Sequence, residues 1–176
     1  MPMFFVQMSG FPGSGKSVLS QEIAKQFGAI IVDHDIVKSA LMNSIDETPI
    51  DPKLAGKISY NIDWSLVDFY FSQGHNVILD SPCLYDELIE KGLSLTEKYK
   101  VKYKYVECRL DDINEINRRL NERERMVSQI TQAPSQEAFD YTLANSKKPS
   151  GYRTLTVNTR LPIESYLPEV IDYIKA

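Results

Sequence analysis

The stretch Met3–Gly28, MFFVQMSGFPGSGKSVLSQEIAKQFG, decides the fold. Its first six residues form an apolar run of strand length. Further on, Leu19, Ile23 and Phe27 recur at i, i+4 as the apolar stripe of a helix, with Gly28 placed to end it. Between the two elements the chain spends Gly10, Gly13 and Gly15 within six residues and then sets Lys16 and Ser17 in the first helical turn. The spacing Gly10-x-x-x-x-Gly15-Lys16-Ser17 fits GxxxxGK[ST], in the strand-to-helix context that the pattern's mechanism requires. Glycines let several backbone N–H groups turn toward one point, and the missing side chains let a phosphate approach. The N-terminus of the helix adds its dipole and its unpaired N–H groups at the same place.

That mechanism makes Gly10, Gly13, Ser14, Gly15, Lys16, Ser17 and Val18 the expected nucleotide-binding residues. Lys16 would reach the outer phosphates of ATP, and Ser17 would ligate Mg²⁺.

Working outward, strand-like runs alternate with helical patterns along the whole length: MFFVQM, AIIVD, NVILD, KYKYVECRL and RTLTV. Most are short and apolar, as strands covered on both faces are. The class is therefore α/β: a three-layer fold with a five-stranded parallel sheet and helices on both faces. Helices are expected from Lys16, over Ile58–Gln73 with Ile58, Ile62, Leu66 and Phe69 inward, and over Leu84–Glu90, Asp112–Arg125, Ser135–Ser146 and Ile163–Ile174. DETPIDPKLAG (46–56) and SQITQAPS (128–135) are polar, proline-bearing and expected to be mobile loops.

Composition narrows the classes. A chain of 176 residues, 43% hydrophobic and 25% charged, fits one domain with a core of its own, and no run approaches the ~18 apolar residues of a membrane span. The N-terminal MPMFFVQM lacks the basic leader and cleavage site of a signal peptide, so a cytoplasmic location is expected. Cys83 and Cys108 have no paired spacing and read as core thiols. A net charge of −4 disfavours a generic nucleic-acid binder. No NKxD or DxxG segment supports a GTPase, and neither HExxH nor GxSxG is present.

With the glycine loop and this order of elements, the chain resembles the P-loop kinases of small molecules, a group that includes shikimate, gluconate, nucleoside monophosphate and polynucleotide kinases. The resemblance implies an ATP- and Mg²⁺-dependent transfer of the γ-phosphate to an acceptor hydroxyl. It implies a carboxylate after the second strand, and in VDHDIVKSAL the D-x-D pair Asp33 and Asp35 stands there, with His34 between. Asp35 is the candidate base, although its position also suits capping the following helix. Lys38 stands where some relatives carry a substrate-contacting arginine. Asp80, ending NVILD, fits a Walker B carboxylate holding Mg²⁺, or a turn cap before Ser81 and Pro82.

A lid is expected around residues 118–135, where Arg118, Arg119, Arg123 and Arg125 follow the fourth strand. Arg119 and Arg123, four apart, are the favoured pair for gripping phosphate oxygens. The competing account is a solvated face, with Glu122 and Glu124 interleaved. Tyr60 and Trp64 are candidates for an acceptor pocket or for packing, and Asn158 and Thr159 for lining adenine. Outside a small-molecule kinase, the same loop would serve a slow ATPase or regulatory module. A polynucleotide 5'-kinase also stays open.

Overall fold

The structure, a computed structural model, describes residues 2–45 and 50–176. Five strands, β1 (Phe4–Ser9), β2 (Ile30–Asp33), β3 (Val77–Asp80), β4 (Lys102–Arg109) and β5 (Thr154–Asn158), pair in parallel in the order β2-β3-β1-β4-β5. All five expected strands are present. β1 lies at the centre and is buried at every position, because its alternate side chains feed two cores.

Phe4, Val6 and Met8 pack against Leu19 and Ile23 of α1 (Lys16–Phe27) and Val170, Tyr173 and Ile174 of α7 (Ile163–Lys175). On the opposite face Phe5 meets Trp64, Val67 and Phe71 of α3 (Pro52–Ser72) and Leu88, Ile89 and Leu95 of α4 (Asp86–Tyr99). A third apolar cluster under the glycine loop joins Phe11 to Ile116 and Leu120 of α5 (Ile113–Glu122) and Phe139 of α6 (Gln136–Ala144). Cys83 and Cys108 are buried free thiols, as expected.

Three expectations are corrected. Helix α3 starts at Pro52 and is capped by Asp51, whose side chain accepts from the N–H groups of Lys53 and Leu54, so residues 52–56 are helix rather than loop; residues 46–49 of that stretch lie outside the described residues. Its buried stripe is Ala55, Ser59, Asp63, Trp64, Val67 and Phe71, whereas Ile62 and Phe69 are exposed. Apolar periodicity missed that stripe because it contains polar residues whose needs are met locally: Ser59 donates to the Ala55 carbonyl and Asp63 binds His34. Finally, α4 runs on to Tyr99, beyond the expected end at Glu90, because Leu95 and Thr96 continue its buried face across Gly92.

Candidate active site

β1 delivers the chain to the carboxyl edge of the sheet, and the glycine loop turns it into α1. Gly10 (φ 136°), Gly13 (φ 85°) and Gly15 (φ 91°) all hold left-sided conformations. A β-carbon on Gly10 would collide with the Cys108 carbonyl and the Ser14 hydroxyl, so the loop is pressed against β4 as closely as a bare backbone allows. Gly15 caps α1 without any side-chain acceptor, which leaves the first-turn N–H groups unclaimed by a cap. Ser14 Oγ is buried with no partner. Lys16 is buried, and its ammonium folds back to donate to the Gly10 carbonyl at 2.9 Å and the Phe11 carbonyl at 3.2 Å. Val18, by contrast, points to solvent.

Two carboxylates stand beside this loop because β2 and β3 end in register, Asp33 opposite Asp80. Burial, and then the Asp80 charge, push Asp33 up from 3.8 to about 6. Asp80 is buried and also raised, chiefly by desolvation; the Lys16 charge and the hydroxyls of Ser17 and Ser20 oppose that rise. Lys16 and Ser17 are thus near enough to Asp80 to act on its charge. A hydroxyl and a carboxylate form an oxygen-only set suited to Mg²⁺, an ion that takes one or two carboxylates and keeps waters and phosphate oxygens for the rest. Among the described residues no group of three or more His, Cys, Asp or Glu side chains is placed to hold a metal ion.

The arginines separate. Helix α5 ends at Glu122, and Arg123 is already extended (φ −78°, ψ 149°), so Arg119 and Arg123 do not share a helical face as their spacing predicts. The physical cause is tertiary. The segment after α5 is drawn across α2 (His34–Asn43) by hydrogen bonds from Gln129 to the Asp35 carboxylate (2.8 Å) and between Ser128 and Ser39 (2.7 Å). Arg119 stays by the glycine loop: it donates to the Thr159 carbonyl (2.9 Å) and to Glu115 (2.7 Å), and a β-carbon on Gly15 would lie 3.9 Å from its Nη1. Thr159 is buried there, while Asn158 on β5 is exposed and accepts from the Arg160 N–H. Arg123 turns the other way. It donates to the Ile130 carbonyl, and its Nε is buried without a partner. Arg118 is exposed between Glu115 and Glu122, which is the solvated-face arrangement; Arg125 is exposed too.

Beside the loop an open cavity of about 1380 Å³ begins at Pro12 and is lined by Asp35, Lys38, Tyr60, Trp64 and Arg123. The cap of α2 is not Asp35 but Asp33, whose carboxylate accepts from the N–H groups of Asp35 (2.8 Å) and Ile36 (3.2 Å). Asp35 is thereby left to face the cavity, held by Gln129. Trp64 and Tyr60 both pack and line: Trp64 is buried against Phe5, and Tyr60 stacks on the His34 ring. Sequence reasoning missed Gln129 and Asp63, which are brought to the cavity region only by tertiary contacts. An acidic residue at helical spacing from Ser59 and Val67 on one face was the available signal for Asp63.

Residues 5–149 match the family described as AAA domain. The chain belongs to the AAA domain family. No curated protein matches it. Among solved structures, this AAA domain is similar to a sugar kinase from Janibacter sp. HTCC2649, at 16% identity and TM-score 0.68 over 99% of this chain and 95% of that one. It is similar also to a gluconokinase from Sinorhizobium meliloti 1021, at 17% identity and TM-score 0.63 over 99% and 92%. The Mycobacterium tuberculosis APS kinase in complex with AMPPNP and APS matches at 14% identity and TM-score 0.64 over 99% of each chain. At such identities the likeness is one of fold, and the fold is that of the P-loop kinases. Among the described residues no helix is long and apolar enough to cross a membrane.

Proposed function

We propose that this AAA domain is an ATP-dependent phosphotransferase that moves the γ-phosphate to a hydroxyl of a small acceptor. One observation carries the reading: the cavity starts at Pro12 of the glycine loop and has the Asp35 carboxylate on its wall. A phosphate held by the loop and a hydroxyl held in the cavity would then meet at a base. A nucleotide-driven regulatory module needs neither the cavity nor the base.

In this reading backbone N–H groups of the glycine loop, among them those of Gly13 and Gly15, and the α1 N-terminus grip the β- and γ-phosphates. Lys16 leaves the Gly10 and Phe11 carbonyls for the phosphate oxygens. Ser17 and Asp80 hold Mg²⁺, which when bound neutralises charge on the phosphate oxygens. Asp35 orients the acceptor hydroxyl. As that oxygen bonds to the γ-phosphorus and the bond to the β-bridging oxygen breaks, the proton passes to Asp35 and ADP leaves. Arg119, beside Gly15, steadies the nucleotide side, and Arg123, in the cavity, reaches the transferring group from the acceptor side. Residues 118–135 serve as the lid.

The test is ADP release from Mg²⁺-ATP with and without pools of sugars, nucleosides, small alcohols and 5'-hydroxyl oligonucleotides, with Lys16→Ala as control. Stimulation by one pool, lost in the control, supports the proposal and narrows the acceptor. A slow rate indifferent to every pool, small-molecule and oligonucleotide alike, favours the regulatory module instead.

A further inference from the structure

The first residue of α2 makes a contact that phosphoryl transfer by Asp35 does not use. His34 is 5% exposed, and its Nδ1 lies 2.7 Å from Oδ2 of Asp63, which is fully buried on α3. Tyr60, one turn before Asp63, stacks on the imidazole with ring centroids 3.9 Å apart and planes within 16°, and its hydroxyl donates to the Pro82 carbonyl at 3.3 Å. The ring is therefore fixed in plane by Tyr60 and in rotation by Asp63. His34 lines the same cavity as Asp35 and Lys38.

We propose that His34 and Asp63 form a dyad whose free imidazole nitrogen, Nε2, accepts a hydrogen bond from a hydroxyl of the acceptor, so that the cavity selects a hydroxyl-bearing ligand at a second point beside Asp35. The inference rests on the phosphotransferase reading. A carboxylate at Nδ1 takes that nitrogen's N–H, and the neutral ring is then left with a bare acceptor at Nε2. Lys38 and Arg123, which line the same cavity, present only N–H donors, whereas Asp35 and His34 offer acceptors to a hydroxyl proton. The cost of the arrangement argues against a mere tie between helices. Asp63 Oδ1 is buried with no partner, and a carboxylate so placed is expensive unless it orients something. Asp63 is the positioning residue, and His34 touches the acceptor.

The chain has two histidines, and His75 is exposed, so the ring nitrogens of His34 can be followed by ¹⁵N NMR with His75 as internal control. At pH 8 His34 should carry its proton on Nδ1. In the presence of Mg²⁺-AMPPNP, a pool of sugars and small alcohols should move the His34 Nε2 resonance and leave His75 in place. Protonation on Nε2, or an Nε2 signal that no pool moves, overturns the dyad. ADP release from Mg²⁺-ATP with the same pools separates the two readings: a pool that stimulates release but leaves the His34 Nε2 resonance in place overturns the dyad alone, whereas release that no pool stimulates is failure of the phosphotransferase reading.

In kinetics, Asp63→Asn should lower kcat/KM for the acceptor by about 10-fold or more, with AMPPNP affinity within about twofold of wild type. Should Asp63→Asn not fold, His34→Gln carries the same expectation, and a folded His34→Gln with wild-type acceptor kcat/KM refutes the proposal.

Discussion

Replacing Asp33 by Asn should stabilise the protein at pH 8, in the absence of nucleotide and divalent metal, and leave it unchanged near pH 4. In the fold β2 and β3 end in register and bring Asp33 against Asp80; burial and that charge raise Asp33 from 3.8 to about 6. A carboxyl group raised in this way is protonated more readily folded than unfolded. Its contribution is therefore neutral below the unfolded value and becomes a penalty as pH climbs from about 4 through 6, complete by pH 8. The full shift corresponds to about 3 kcal/mol at ~1.4 kcal/mol per pH unit. Asp33 is only partly buried, so solvent screening brings the figure to about 1–2 kcal/mol.

Asn keeps the cap, because its side-chain oxygen still accepts from the Asp35 and Ile36 N–H groups, and Asn ranks with Asp at that position. At roughly 2–4 °C per kcal/mol for a chain of this size, the variant should melt about 2–8 °C higher at pH 8. Thermal denaturation followed by circular dichroism in EDTA at pH 4, 6 and 8 measures it. A gain of equal size at all three pH values, or a loss at pH 8, would refute the electrostatic argument.

Three further outcomes follow from the site. Asp35→Asn should lower phosphoryl transfer by ~100-fold or more while nucleotide binding, read by AMPPNP titration, is kept; unchanged transfer would remove Asp35 from the chemistry. Arg119→Ala should raise KM for ATP, and Arg123→Ala should act on the acceptor KM and kcat, each by about 10-fold, because the structure sets them on opposite sides of the loop. The same kinetic pattern in both variants would contradict that division. Gly92→Ala should destabilise by about 1–3 kcal/mol in denaturant melts despite the better helix propensity. Its β-carbon would stand 2.7 Å from Gln7 Oε1 and 3.1 Å from the Phe5 ring, and Gln7 is held by the Leu88 carbonyl and the Tyr103 hydroxyl.

What the sequence determined by itself is the part written in local pattern. The five strands, the class of the fold and the glycine loop were legible because each depends on contiguous residues: an apolar run, a helical period, and glycines spaced for a turn that only they adopt. Arg118's place on a solvated face was legible too, since Glu115 and Glu122 lie within one turn of it on either side.

The tertiary structure decided where residues from different elements meet. Strand register set Asp33 against Asp80 and made Asp33, not Asp35, the cap of α2. Hydrogen bonds from Gln129 and Ser128 to α2 broke the expected helix after Glu122 and parted Arg123 from Arg119. The buried face of α3 escaped the periodicity because Ser59 and Asp63 belong to it, and Asp63 is admitted there only by His34, 29 positions away in the chain. A buried charge is tolerated where a partner waits, and a one-dimensional pattern does not contain the partner.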